Sequence, residues 1–279
     1  MVSIGFIGLG AMGSVMAHLL SKSGFDLHGY DIKKVSEISN LNIVKNLSDI
    51  HHKEIIIFML PNGKIVKKVV NELLLLGSKS MMIDMSSSDP YETIKLGSQL
   101  LSQNIEFLDA PVSGGVLRAR TGNLMIMVGG NKISIKKVKN VLKVLGSVRI
   151  AGPLGAGHAM KSLNNYVSAA GLIASFEALN TAMKFGIRPE KFLQIINAST
   201  GKNNTTEAKL EKFVFSGKYD SGFALDLMMK DVSIANNLIK KLSFDHPLSN
   251  DVLLYLKNAI EALGRDLDHT ELYKILKQE

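Results

Sequence analysis

Through the first part of the chain, short apolar runs alternate with amphipathic ones. That rhythm then gives way to helical periodicity alone. Apolar runs at 2–7, 25–30, 55–60, 81–84, 105–108, 124–128 and 148–150 predict strands. Ile55-Ile56-Ile57-Phe58-Met59-Leu60 shows no polar alternation, which is how a strand covered on both faces of a parallel sheet reads. Amphipathic segments at about 11–23 and 134–145 predict helices between them. The expected fold class is therefore α/β, a doubly wound, mostly parallel sheet through about residue 160. From Gly157 to Phe185 the pattern is one long helix, apolar nearly all round (Tyr166, Val167, Ala169, Leu172, Phe176, Leu179), as for a helix covered by partner helices or by another subunit. Helices are predicted at 189–198, 205–213, 223–242, 247–263 and 270–277. Two domains follow, residues 1–160 and an all-helical 161–279, joined by the long interdomain helix.

A length of 279 residues suits two domains, and 46% hydrophobic with 21% charged residues is the composition of an ordinary folded protein. Cysteine is absent, which rules out disulfides and thiolate metal sites. Among seven histidines only His51-His52 are paired, so no metal site is expected. Tyr166–Phe176, the longest weakly polar run, is far shorter than the ~20 residues of a membrane span. The first strand begins without a charged, cleavable leader, so a cytoplasmic protein without a membrane partner is expected. The net charge of +8 is scattered over helical lysine pairs and Trp is absent, which argues for solvated faces and against a nucleic-acid partner.

Chemistry first shows in Gly8-Leu9-Gly10-Ala11-Met12-Gly13, set between a strand and a helix. There Gly8 permits a tight turn, Gly10 lets the backbone approach a pyrophosphate, and Gly13 allows close helix–strand packing. The bland alternative is a glycine-rich turn without a ligand. Asp31 follows about twenty residues after the glycines, placed to accept the ribose hydroxyls of NAD and to repel the extra phosphate of NADP. Its other reading is an N-cap for a segment beginning at Ile32. Lys33 and Lys34 could partly tolerate that phosphate, so NAD is favoured and NADP stays open. Pro61 breaks a strand at its carboxyl end, where open α/β sheets place ligands. Ser86-Ser87-Ser88 precede a helix and either cap it or face the nicotinamide ribose, and spacing favours caps.

Downstream, Lys161 and Asn165 share a face of the long helix. A lysine in a first turn is repelled by the helix dipole, and burial in an interdomain cleft would lower its pKa further, toward the range useful for acid–base work. The alternative is a surface lysine. Lys230-Asp231 reads by itself as a solvated face.

The 6–19 segment closely resembles the signature of the β-hydroxyacid dehydrogenases, of which 3-hydroxyisobutyrate dehydrogenase is the type member. The resemblance continues in order through Met59-Leu60-Pro61, Asp84-Met85-Ser86-Ser87, Asp109 to Gly115, Gly155-Ala156-Gly157 with Lys161 and Asn165, and Lys230-Asp231. It implies a Rossmann domain followed by a helical domain that carries part of the site and mediates oligomerisation, as a homodimer or homotetramer. By the same resemblance Lys161 is the catalytic lysine and Asn165 its companion. Ser113, Gly114 and Gly115 hold the carboxylate of a small hydroxy acid or semialdehyde, and Leu60, Pro61, Ser87 and Lys230 touch the cofactor. Relatives that reduce imines replace the lysine, so its presence argues for alcohol–carbonyl chemistry.

The expected function is thus hydride transfer between NAD and a small 3-hydroxy acid or semialdehyde, with Lys161 as general acid/base. Alternatives are an NADPH-preferring semialdehyde or glyoxylate reductase, or a catalytically silent dinucleotide binder. Arg118, Arg120 and the polar run Gly201 to Thr206 could favour a polar or doubly anionic acid if they face the site, and otherwise read as loop surface.

Overall fold

The computed structural model describes residues 2–276 apart from 36 and 245; the expected end of the last helix at Lys277 lies outside the described residues. Two compact units form, Met1–Lys161 and Ser162–Glu279.

In chain order, the first unit contains β1 (Ser3–Ile7), α1 (Gly13–Lys22), β2 (Asp26–Tyr30), β3 (Asn42–Ile43), β4 (Ile55–Phe58), α2 (Gly63–Leu75), β5 (Met81–Asp84) and α3 (Pro90–Leu101). It continues with β6 (Phe107–Asp109), β7 (Val112–Ser113), α4 (Gly115–Arg120), β8 (Leu124–Gly129), α5 (Lys132–Leu145) and β9 (Gly146–Gly152). These strands make one nine-stranded sheet in the order β3-β2-β1-β4-β5-β6-β8-β7, with β9 beside β8. Pairing is parallel from β3 through β6. β8 runs antiparallel to β6 and β7 because the link through the short α4 leaves too little chain for a parallel crossover.

The unbroken apolar run of β4 is explained by its two faces. Ile55 and Ile57 join one core with α1 and α5, while Ile56 and Phe58 join another with α2 and α3. Strand order reverses between β1 and β4. The crevice at their carboxyl ends is the switch point where such sheets take ligands.

α6 (Ala156–Lys184) runs through the boundary between the units. The second unit adds α7 (Pro189–Asn197), α8 (Asn204–Ala208), a π-helical turn (Leu210–Phe215), α9 (Leu225–Lys241), α10 (Pro247–Leu263), a 3₁₀ turn (His269–Leu272) and α11 (Tyr273–Leu276). Its own core gathers Leu172, Phe176, Leu210, Met228, Val232 and Leu256. The helix expected over 205–213 is two pieces, since Lys209 ends α8 at φ −119° and the π-helical turn takes over. No helix among the described residues is long and apolar enough to cross a membrane.

Candidate active site

β1 delivers Gly8 to the switch point at φ +99°, and a Cβ there would collide with the Met59 carbonyl. A Cβ on Gly13 would collide with the Gly8 carbonyl, whereas one on Gly10 would meet nothing within 4 Å. Two glycines are therefore demanded by packing, and the middle one faces open space. The first turn of α1 has no capping side chain and no acidic residue. Its amides and positive dipole end, with Leu9, Ala11 and Met12 completing the turn, suit an anion such as a pyrophosphate.

Asp31 stands just past the end of β2. Its Oδ2 accepts from the Leu9 amide at 2.7 Å and its Oδ1 from the Lys33 amide at 2.8 Å. No helix starts at Ile32, so the capping alternative is not realised. A carboxylate offers about four acceptor positions, so Asp31 retains capacity for ribose hydroxyls.

The serines after β5 differ from expectation. Asp89, which accepts from the Tyr91 and Glu92 amides, is the cap of α3. Ser86 Oγ instead accepts from the Leu60 amide at 2.9 Å, and Ser88 Oγ donates to Asp84 Oδ2 at 2.7 Å. The first bond joins the Leu60–Pro61 and Ser86–Ser88 loops, and the second ties Ser88 back to the end of β5.

Ser113 ends β7, and Gly114 and Gly115 are exposed where α4 begins. The stem of Arg118 lies across Gly114, where an added Cβ would stand 2.8 Å from Arg118 Cδ. Arg120 lines a different cavity, with Ser14, His18 and Glu37. The polar run 201–206 is spent locally. Asn203 caps α8 in a reciprocal pair with Thr206, and Lys202 pairs with Glu207 at 2.9 Å.

Lys161 is half-buried. Because α6 starts at Ala156, Lys161 sits in the second turn and not the first, beyond most of the dipole's reach. Asn165, one turn on, is buried, and its Nδ2 donates to Asp231 Oδ2 at 2.6 Å. This overturns the solvated-face reading of Asp231, which is 3% exposed. Lys230 Nζ lies 3.7 Å from Asp231 Oδ1. Asp84 and Asp109, which stand in the motifs without an expected role, are buried, as is His158. A carboxylate ending each of two apolar strands was the signal that could have found the first two. Among the described residues, no cluster of three or more His, Cys, Asp or Glu could hold a metal.

Residues 3–155 match the family described as the NAD binding domain of 6-phosphogluconate dehydrogenase. Residues 155–276 match the one described as NAD-binding of NADP-dependent 3-hydroxyisobutyrate dehydrogenase. The chain is 36% identical to 2-(hydroxymethyl)glutarate dehydrogenase of Eubacterium barkeri, over 84% of this chain and 81% of that protein. It is 31% identical to mitochondrial 3-hydroxyisobutyrate dehydrogenase of Drosophila melanogaster, over 99% and 90%. A solved 3-hydroxyisobutyrate dehydrogenase from Mycobacterium tuberculosis, titled with L-serine, superposes with a TM-score of 0.92 at 26% identity, covering 99% of both chains.

Proposed function

This chain belongs to the β-hydroxyacid dehydrogenase family, whose members are NAD(P)-dependent enzymes acting on CH–OH groups, and on that premise we propose that it interconverts a small 3-hydroxy acid and its semialdehyde with NAD, using Lys161 as general acid/base. The observation that carries the reading is the pairing of an open-faced glycine turn with a carboxylate at Asp31. The first suits a pyrophosphate and the second a ribose.

The bound dinucleotide supplies the hydride acceptor. The turn Gly8 to Gly13 receives its phosphates through the amides beyond Leu9, those of Gly8 and Leu9 being given to the Tyr30 carbonyl and to Asp31, and Asp31 takes the ribose hydroxyls and disfavours a 2′-phosphate. Leu60, Pro61, Ser87 and Lys230 are assigned to the cofactor by resemblance. Ser113, Gly114 and Gly115 hold the substrate carboxylate. Lys161 then accepts the hydroxyl proton in oxidation and returns it to the carbonyl oxygen in reduction. Asn165 holds that oxygen through the second hydrogen of Nδ2, the first being given to Asp231 while its Oδ1 accepts from Asn164.

Arg118 favours a substrate with a second acid group. Its stem crosses Gly114, which would set a guanidinium at the rim of the carboxylate loop. The 36% identical relative is named for 2-(hydroxymethyl)glutarate, a dicarboxylate.

The test is turnover of 3-hydroxyisobutyrate, 2-(hydroxymethyl)glutarate and tartronate semialdehyde with each nicotinamide cofactor, in wild type and Lys161→Ala. The variant should lose roughly 10²–10⁴-fold in kcat while retaining NADH binding. Undiminished turnover would overturn the role of Lys161. No turnover of any acid, with NADH still bound, would favour a silent dinucleotide binder.

A further inference from the structure

Asp84 and Asp109 end the neighbouring strands β5 and β6 and are register partners there. In-register residues on parallel strands point to the same face, about 4.8 Å apart. Both carboxylates are buried, at 1% and 0% exposure. Two anions so close in a low-dielectric interior repel strongly unless donors surround them.

The chain supplies those donors from two directions. Asp84 Oδ1 accepts from the Ser86 amide at 2.9 Å and its Oδ2 from Ser88 Oγ at 2.7 Å. Asp109 Oδ1 accepts from the Gly155 amide and its Oδ2 from the His158 amide, each at 2.7 Å. Asp109 thus ties down the start of α6. Gly157 allows this approach, since a Cβ there would stand 2.8 Å from Asp109 Oδ2.

The His158 ring closes the arrangement. Nδ1 lies 2.8 Å from Thr93 Oγ1, whose hydroxyl donates to the Asp89 carbonyl at 3.0 Å. With that hydroxyl committed, Thr93 Oγ1 faces Nδ1 through an oxygen lone pair. Nε2 faces Asp84 Oδ2 at 3.6 Å, and Nδ1 is 3.8 Å from Asp109 Oδ2. The ring therefore ties the start of α6 to α3 through Thr93 and lies between the two carboxylates without a hydrogen bond from Nε2. Lys161 follows His158 by one helical turn.

We propose that His158 is a positioning residue for the proposed proton transfer: bonded through its ring to Thr93 and through its amide to Asp109, it fixes the first turn of α6, and so Lys161, at the ends of β5 and β6. The inference rests on the general acid/base reading of Lys161.

Two amide variants separate the arms of the ring. In His158→Asn the amide reaches only the Nδ1 position, toward Thr93; in His158→Gln it reaches the Nε2 position, toward Asp84. With NAD and the fastest acid of the panel above, His158→Gln should lower kcat roughly tenfold or more, because misplacement by about an ångström costs up to ~10²-fold. KM for NAD and NADH-binding stoichiometry should stay close to wild type, and His158→Asn, which keeps the bond to Thr93, should recover most of the loss.

Wild-type kcat in His158→Gln, or an equal fall in both variants, overturns the proposal. So does a fall in kcat that tracks lost NADH binding or melting temperature. If His158→Gln does not fold, Thr93→Val answers instead: it keeps the shape and removes the oxygen that faces His158 Nδ1, so kcat should fall and unchanged kcat overturns the proposal. An active Lys161→Ala removes the reading underneath. An inactive Lys161→Ala beside a normal His158→Gln removes the brace alone.

Discussion

The Leu9 amide donates to Asp31 Oδ2 at 2.7 Å, so the residue that would read the ribose also holds the glycine turn. Asp31→Ser should therefore weaken NADH binding by about tenfold, the loss expected for a hydrogen bond to a charged group, and should tighten NADPH. Fluorescence titration with both reduced cofactors measures the ratio. If it does not move, Asp31 is not the ribose ligand.

The three motif glycines should separate in a mutational series. Gly8→Ala and Gly13→Ala force a side chain into the Met59 and Gly8 carbonyls, so both should fold poorly. Gly10→Ala meets no protein atom and should melt within a few degrees of wild type while losing NADH affinity. Thermal melts with and without NADH check this. Full NADH affinity in Gly10→Ala would mean that the open space at Gly10 is not where phosphate approaches.

Asn165 and Asp231 should behave as a pair. Asn165→Ala removes a buried donor from a buried carboxylate, a loss of about 1–3 kcal/mol, and should lower both kcat and denaturant midpoint. Asp231→Asn, uncharged but similar in shape, should retain most of the stability while losing activity. Chemical denaturation beside steady-state kinetics distinguishes the two effects.

Acid should destabilise the second unit through His269. Burial, helped by the nearby Lys209 ammonium, pushes His269 down from 6.5 to about 4. Burial also brings Lys209 down to about 8. Burial would raise the Asp268 carboxyl, but hydrogen bonds from Thr270 and Ser221 outweigh it and hold it below the usual range. A base whose pKa is depressed on folding binds its proton first in the unfolded chain. The stability contributed by neutral His269 is thus complete above about pH 6.5 and is lost as pH falls toward 4. Melting temperature should drop across that window, with a shallower slope in His269→Gln. Equal slopes would assign the acid sensitivity to other groups.

Much of the architecture was legible because its causes are local. The run Ile55 to Phe58 announced a strand covered on both faces, and the Gly8 turn announced a strand-to-helix joint with room for phosphate. The helix expected at about 247–263 runs from Pro247 to Leu263, since proline starts it and Gly264 follows it. What the sequence determined was thus periodicity, the turns that only glycine permits, and the order of the motifs.

Tertiary structure decided the partner of each polar side chain. The Lys202–Thr206 run looked available for substrate and was consumed by a helix cap. The Asp231 carboxylate looked solvated and proved to be buried against Asn165. Asp84 and Asp109 became neighbours through sheet register alone, and His158 joined them through the bond of its amide to Asp109. Hydrophobic period is written into adjacent residues. A hydrogen bond between residues dozens of positions apart exists only once packing has excluded the water that would otherwise serve both partners.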